Sequence, residues 1–161
     1  MQPLVFARLL KYAAVNKNET VLVIGSLSGY SAAVLSHLAQ KIVALEEEKT
    51  LAAQAKTLLA LYGNVHPVEG NLCEGALSHA PFDAIIIEGA IEELPRKIID
   101  QLREGGRILT IDHISEARIT GAGLGKLTEA KKINGALYYT TLHDANCSLL
   151  PQFRKKQGFV F

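Results

Sequence analysis

Short apolar runs alternate with stretches of helical periodicity through the first two-thirds of the chain. Residues 20–25, Thr-Val-Leu-Val-Ile-Gly, form an unbroken apolar run closed by glycine. Residues 41–46, 83–87 and 107–112 repeat that form, and residues 65–69 repeat it more weakly. Between them, residues 30–39 are small and apolar, with Val34, Leu35 and Leu38 in one stripe. Residues 49–62 carry Leu51, Ala55, Leu58 and Tyr62 at helical spacing and end at Gly63-Asn64. Leu94, Ile98 and Leu102 mark another helix face, broken by Gly105-Gly106. The opening stretch predicts an amphipathic helix, with Pro3 suited to its first turn.

Strands of continuous apolar character separated by helices indicate a parallel sheet covered on both faces. Right-handed crossovers then make it a doubly wound α/β fold, with the strands ending at Gly25 and Glu46 adjacent and parallel. After Asp112 the pattern changes. Residues 120–125 are glycine-rich, and residues 136–142 are strand-like with no convincing helix on either side, which predicts an antiparallel end at the sheet edge. No repeat or linker divides the chain, so residues 1–161 read as one domain.

Composition narrows the function classes. A chain of 161 residues buries roughly 70% of its unfolded surface and needs no staple. Seventeen basic and 16 acidic residues leave a net charge of +1, which speaks against a broad electrostatic grip on nucleic acid. Two cysteines, Cys73 and Cys147, cannot build a disulfide framework and fit a reducing, cytoplasmic setting. No stretch approaches the twenty apolar residues of a membrane span, and Arg8 and Lys11 interrupt the apolar opening where a signal peptide is uncharged.

In an open parallel sheet, ligands bind beyond the carboxyl ends of the strands. Here those ends are Gly25, Glu46, Glu69-Gly70-Asn71, Ile87-Glu88-Gly89 and Asp112-His113. Residues 25–29, Gly-Ser-Leu-Ser-Gly, turn the first strand into a helix and present backbone N–H groups to the crevice. Glu46 ends the next strand, placed to accept hydrogen bonds from ribose hydroxyls; the competing role for Glu46, Glu47 and Glu48 is to favour the start of the next helix. Together these features point to a nucleoside-containing cofactor. A dinucleotide fingerprint is not met, because Leu27 and Tyr30 stand at its second and third glycine positions. Nor is a nucleophile elbow, which needs serine where Leu27 stands. The five histidines lack metal-ligand spacing, so no metal is expected.

Residues 25–35, Gly-Ser-Leu-Ser-Gly-Tyr-Ser-Ala-Ala-Val-Leu, resemble the first cofactor motif of protein-L-isoaspartate O-methyltransferases. The resemblance continues through Ile42-Val-Ala-Leu-Glu46, Asn64-Val65, Gly70-Asn71, residues 81–87 and residues 102–109 to the ending, Leu150-Pro-Gln-Phe153 and Gly158-Phe-Val-Phe161. Gln2-Pro3 matches the family's Ser-Gln-Pro motif from its second residue. The resemblance implies a seven-stranded fold with an antiparallel end, S-adenosylmethionine as cofactor, and methyl transfer to the carboxylate of isoaspartyl residues in damaged proteins. It implies a cofactor site formed by Gly25, Ser26, Gly29, Glu46 (ribose) and Asn71 (adenine), with no catalytic residue assigned.

Three positions depart from the family pattern. Val23 stands in place of an acid, Leu27 in place of a glycine, and Asn71 in place of an aspartate. Val23 and Leu27 predict weakened S-adenosylmethionine binding: one lacks a partner for the cofactor's ammonium, and the other adds bulk where backbone approaches the ligand. The family's segment before Ser-Gln-Pro has no counterpart here, and Met1 stands at its serine, so the chain reads either as a shortened piece or as a form without that part. Two alternatives accompany the leading reading: a degenerate member serving as a binding or scaffold module, and a methyltransferase with another acceptor. The sequence does not set the oligomeric state.

Overall fold

A computed structural model describes residues 1–113 and 125–155. Seven strands form one sheet in the order β3-β2-β1-β4-β5-β6-β7. They are β1 (Thr20–Ile24), β2 (Lys41–Glu46), β3 (Val65–Glu69), β4 (Phe82–Ile91), β5 (Leu102–Asp112), β6 (Gly125–Ile133) and β7 (Ala136–Ala145). The helices are α1 (Pro3–Ala13), α2 (Tyr30–Ser36), α3 (Lys49–Leu58) and α4 (Arg96–Gln101).

Alternation along each strand sends side chains to two cores. Val21 and Val23 of β1 join Ile42 and Ala44 of β2, Ala84 and Ile86 of β4, and the apolar faces of α1, α2 and α3. Leu22 and Ile24 point the other way, with Val43, Leu45, Ile85, Ile87 and Ile98. β1 pairs in parallel with β2 and with β4, as expected, so the sequence order reverses at β1. The ends of β1, β2 and β4 therefore share one crevice.

The antiparallel end differs in detail from the expectation. β6 runs antiparallel to both β5 and β7, so it alone opposes the sheet and β7 returns to the common direction. β6 was not evident in the sequence because its pattern is not alternating. A register shift between Leu127 and Thr128 turns both inward, and they are 0% and 3% exposed. The helix expected around Leu94, Ile98 and Leu102 is short, and Leu102 already belongs to β5. Gly105-Gly106 does not precede that strand but lies within its irregular start: Phe82 pairs with Leu102 and Ala84 with Arg107. Lys132 donates to the carbonyls of Ile99 and Leu102 at the end of α4. The glycine-rich residues 120–124 and the ending 158–161 lie outside the described residues.

Ion pairs secure the opposite, amino edge of the sheet. Arg107 holds Glu19 with two hydrogen bonds of 2.9 Å, and Arg103 pairs with Asp83, whose other oxygen accepts from Thr20 N–H at 2.8 Å. Among the described residues no helix is long and apolar enough to cross a membrane.

Candidate functional site

The loop from β1 to α2 makes a tight reversal. The N–H groups of Gly25 and Ser26 donate to the Leu45 carbonyl at 3.0 and 3.1 Å, and Gly29 N–H donates to the Ser26 carbonyl at 2.8 Å. Gly25, Leu27 and Gly29 take positive φ values of 75°, 51° and 95°. A Cβ on Gly25 would meet nothing within 4 Å, so this backbone is open to a ligand. Gly29 has a packing reason as well, because a Cβ there would lie 2.6 Å from Leu59 Cδ1. Ser26 is buried, and its hydroxyl has no partner.

Leu27 holds the left-handed conformation that glycine takes without cost, at a strain of about 1–2 kcal/mol. Its side chain is 47% exposed and lines a cavity of about 720 Å³. The added bulk thus faces the open space.

Glu46 is 5% exposed at the end of β2. Its Oε2 accepts from Leu27 N–H at 2.8 Å, and its Oε1 accepts from the N–H groups of Glu47 and Glu48 at 2.9 and 3.0 Å. It does not cap α3. Glu48 does that, accepting from Thr50 and Leu51, which holds its own carboxyl below the usual range. Glu46 instead braces the glycine loop. Oε2 keeps one lone pair for a ligand hydroxyl, whereas Oε1 is saturated. This bracing role was not visible in sequence spacing.

Asn71 lies beyond β3, where its Oδ1 accepts from Cys73 N–H at 2.9 Å and caps a short 3-10 turn. Its amide reaches Glu47 Oε1 at 3.4 Å. Asn71 therefore joins the Glu46–Glu47 side of the crevice, and it borders a separate cavity of about 670 Å³ rather than the one beside Leu27. Its acceptor is partly used by its own turn.

The residue that sequence reasoning passed over is Glu88. Between the pairs Ile86–Leu109 and Ala90–Ile111, β4 spends four steps against two on β5, so residues 87–89 bulge. Bulges re-aim side chains, and this one turns Glu88 into the 720 Å³ cavity beside Leu27 and the Gln2-Pro3 opening of α1. One carboxylate oxygen is sealed from solvent and makes no hydrogen bond of good geometry, and the nearby Ser31 hydroxyl, also sealed, has only this carboxyl to turn to. Burial pushes the Glu88 carboxyl up to about 7; the Ser31 hydroxyl and the Met1 amino group oppose that shift, and Glu46 adds to it. The sequence signal was only its place at the carboxyl end of the strand next to β1. Val23, by contrast, is fully buried and opens onto nothing.

Two groups of residues thus flank the Leu27 loop, here called lobes. Glu46, Glu47 and Asn71 make the first, over β2 and β3, through hydrogen bonds rather than a shared cavity: Glu46 lines a space of about 310 Å³ with Ala52, Ala55 and Val68, and Asn71 lines the 670 Å³ one. Glu88, Leu27, Gln2 and Pro3 form the other over β1 and β4. The segment after β7 borders the second lobe, with Ser148 and Leu150 hydrogen-bonded to Ala90.

Comparisons with known proteins place this arrangement. The family model described as protein-L-isoaspartate(D-aspartate) O-methyltransferase matches residues 1–132. A protein-L-isoaspartate O-methyltransferase of Azorhizobium caulinodans is 40% identical over 110 residues, 67% of this chain and 51% of that protein. The Koribacter versatilis protein of the same name is 33% identical over 152 residues, 93% of this chain and 64% of its own length. The chain spans about half the length of most curated relatives it matches. A solved protein-L-isoaspartate O-methyltransferase superposes with a TM-score of 0.81 at 24% identity, covering 92% of this chain and 47% of that one. A Plasmodium falciparum structure titled as a putative member, in complex with S-adenosyl-L-homocysteine, gives 0.72 at 21% identity over 93% and 74% of the two chains. Both structures support the fold, and the family match supports the rest: the chain belongs to the protein-L-isoaspartate(D-aspartate) O-methyltransferase family.

Proposed function

We propose that this chain binds S-adenosylmethionine in the two-lobed crevice and transfers its methyl group to the carboxylate of an isoaspartyl residue. The observation that carries this reading is the loop at the sheet switch point, open over Gly25 and tied by Leu27 N–H to the Glu46 carboxylate. The residues present fit the cofactor's chemistry. Glu46 Oε2 has a lone pair for a ribose hydroxyl, Asn71 Oδ1 has one for an amine, and the second lobe holds a carboxyl and a serine hydroxyl with no hydrogen-bond partner beyond each other.

Bound there, the cofactor supplies an activated methyl on a sulfonium. A carboxylate acceptor is already a nucleophile at neutral pH, so the chain needs no general base. Its residues contribute position and dryness. The tail around Ser148 and Leu150, together with Gln2 and Pro3, lines the second lobe and would border a bound cofactor. The free thiols Cys73 and Cys147 fit a cytoplasmic setting, and an isoaspartyl peptide or protein is the partner this reading requires.

Glu88 supports a second reading, a methyltransferase with another acceptor, because an ionised carboxyl in the acceptor lobe repels an anionic substrate. Methyl transfer from radiolabelled S-adenosylmethionine separates the readings. Label should enter an isoaspartyl peptide and spare its aspartyl isomer. Label in neither peptide, with cofactor binding intact, favours the other acceptor. No cofactor binding at all favours a scaffold.

Leu27→Gly should tighten S-adenosylmethionine binding. Removing side-chain bulk from the cavity relieves about 1–3 kcal/mol of overpacking, or roughly five- to a hundred-fold in affinity. Stability should hold within about 1 kcal/mol, since relief of left-handed strain is offset by the glycine's freer unfolded chain. Calorimetric titration of both forms checks this; equal affinities would mean that Leu27 swings clear of the ligand.

A further inference from the structure

The amino edge of the sheet pairs its acids with arginines, Glu19 with Arg107 and Asp83 with Arg103. Over β1, β2 and β4 at the carboxyl edge the acids are held differently. Glu46 is satisfied by three backbone N–H groups, but among the described residues Glu88 is ion-paired to no lysine or arginine; the Met1 amino group, which lines the same cavity, and the Ser31 hydroxyl favour its charged form, yet one oxygen makes no hydrogen bond of good geometry. A buried carboxyl without a partner is costly whether charged or left half-bonded. Such a group calls for an explanation, and a ligand that completes it is one.

The surroundings say which kind of ligand group. The carboxyl faces a cavity of about 720 Å³, large enough for an amino-acid moiety, and the Ser31 hydroxyl beside it has no other partner than this carboxyl. A carboxylate and a hydroxyl oxygen are both acceptors, so together they suit a donor cation with several N–H bonds. The proposed cofactor carries two cations. Its sulfonium has no hydrogen to donate; its ammonium has three.

We propose that Glu88, with Ser31, receives the ammonium of the cofactor's methionyl part, taking on from β4 the charge that Val23 cannot supply from β1. This rests on the proposed use of S-adenosylmethionine. The geometry supports the exchange of position. Val23 pairs with Ile86, two residues before Glu88, and both belong to the core under α2, the helix that carries Ser31. The β4 bulge then brings the carboxyl to the cavity that Val23 does not reach. An ammonium on Glu88 also neutralises the lobe into which an anionic acceptor must come.

The test uses S-adenosylhomocysteine and its desamino analogue, in which hydrogen replaces the amino group, titrated calorimetrically into the full chain and into Glu88→Gln. The parent chain should prefer S-adenosylhomocysteine over the analogue by about ten- to a hundred-fold, the size of a charge-assisted hydrogen bond. Glu88→Gln should lose that preference and bind both alike. Binding to the parent at pH 6.5 should also release protons, read from its dependence on buffer ionisation enthalpy, and binding to Glu88→Gln should not. A parent chain that binds both ligands equally well overturns the assignment without needing any variant. So does a Glu88→Gln protein that keeps the preference. Failure of the parent to bind either ligand removes the cofactor reading itself and this assignment with it, which is a different outcome from binding without discrimination.

Discussion

Above pH 7, Glu88→Gln should be more stable than the parent chain by about 2 kcal/mol, with the gap closing as pH falls towards 4.5. The Glu88 carboxyl titrates near 4.5 when unfolded and is pushed up to about 7 when folded, mainly by burial. Below pH 4.5 it is protonated in both states and costs nothing. Between 4.5 and 7 the unfolded chain releases its proton first, so stability falls as pH rises, and above 7 the full cost is present. A shift of that size corresponds to roughly 3 kcal/mol at about 1.4 per unit, and the residue's partial exposure trims it to about 2. Glutamine does not ionise and should give a flatter profile. Urea unfolding at pH 5, 6, 7 and 8 measures both. Parallel profiles for the two proteins would show that the carboxyl is solvated. Saturating S-adenosylhomocysteine should shrink the difference at pH 8, because a ligand cation on Glu88 stabilises only the parent's charged form.

The parts legible in the sequence were those where local pattern and tertiary context agree. β2 matches the expected residues because its apolar run is unbroken and ends at an acid, and β3 matches although His66 and Pro67 interrupt its run. Pro3 opens α1 as its first-turn position requires. Glu46 was recognisable from its place at a strand end, but its hydrogen bond to Leu27 was not, since that depends on how the loop folds back across β1 and β2. Three features escaped for one shared reason, irregular register. β6 hides behind a shift at Leu127–Thr128, β5 begins before its glycines rather than after them, and the β4 bulge hides Glu88. Period-two reasoning fails wherever one strand takes extra residues against its neighbour. Asn71 shows a different limit: side-chain chemistry named it an acceptor, yet its own turn uses part of that capacity.

Val23→Glu, which would bring the first motif closer to the family pattern, should destabilise this chain by about 3–5 kcal/mol. Val23 is 0% exposed between Ala44 and Ile86 and packs in an all-apolar cluster with Ala32 and Leu35. A carboxylate there gains charge and volume with no partner, and buried unpaired charge is among the few changes that cost this much. Part of the cost should come from Glu88. Position 23 lies beside Ile86, two residues short of Glu88, a backbone separation of about 8 Å from the strand spacing and rise. Two carboxylates at that range repel by about 2 kcal/mol in a medium of effective dielectric 20. The same substitution in a Glu88→Gln background should therefore cost about 2 kcal/mol less. Urea unfolding of the four proteins at pH 7.5 closes the cycle. Additive losses would mean that the two positions do not share a field. A coupling of the expected size would show that one negative charge fits this corner of the crevice and a second does not, so that an acid on β1 and an acid on β4 are alternative solutions to the same electrostatic requirement.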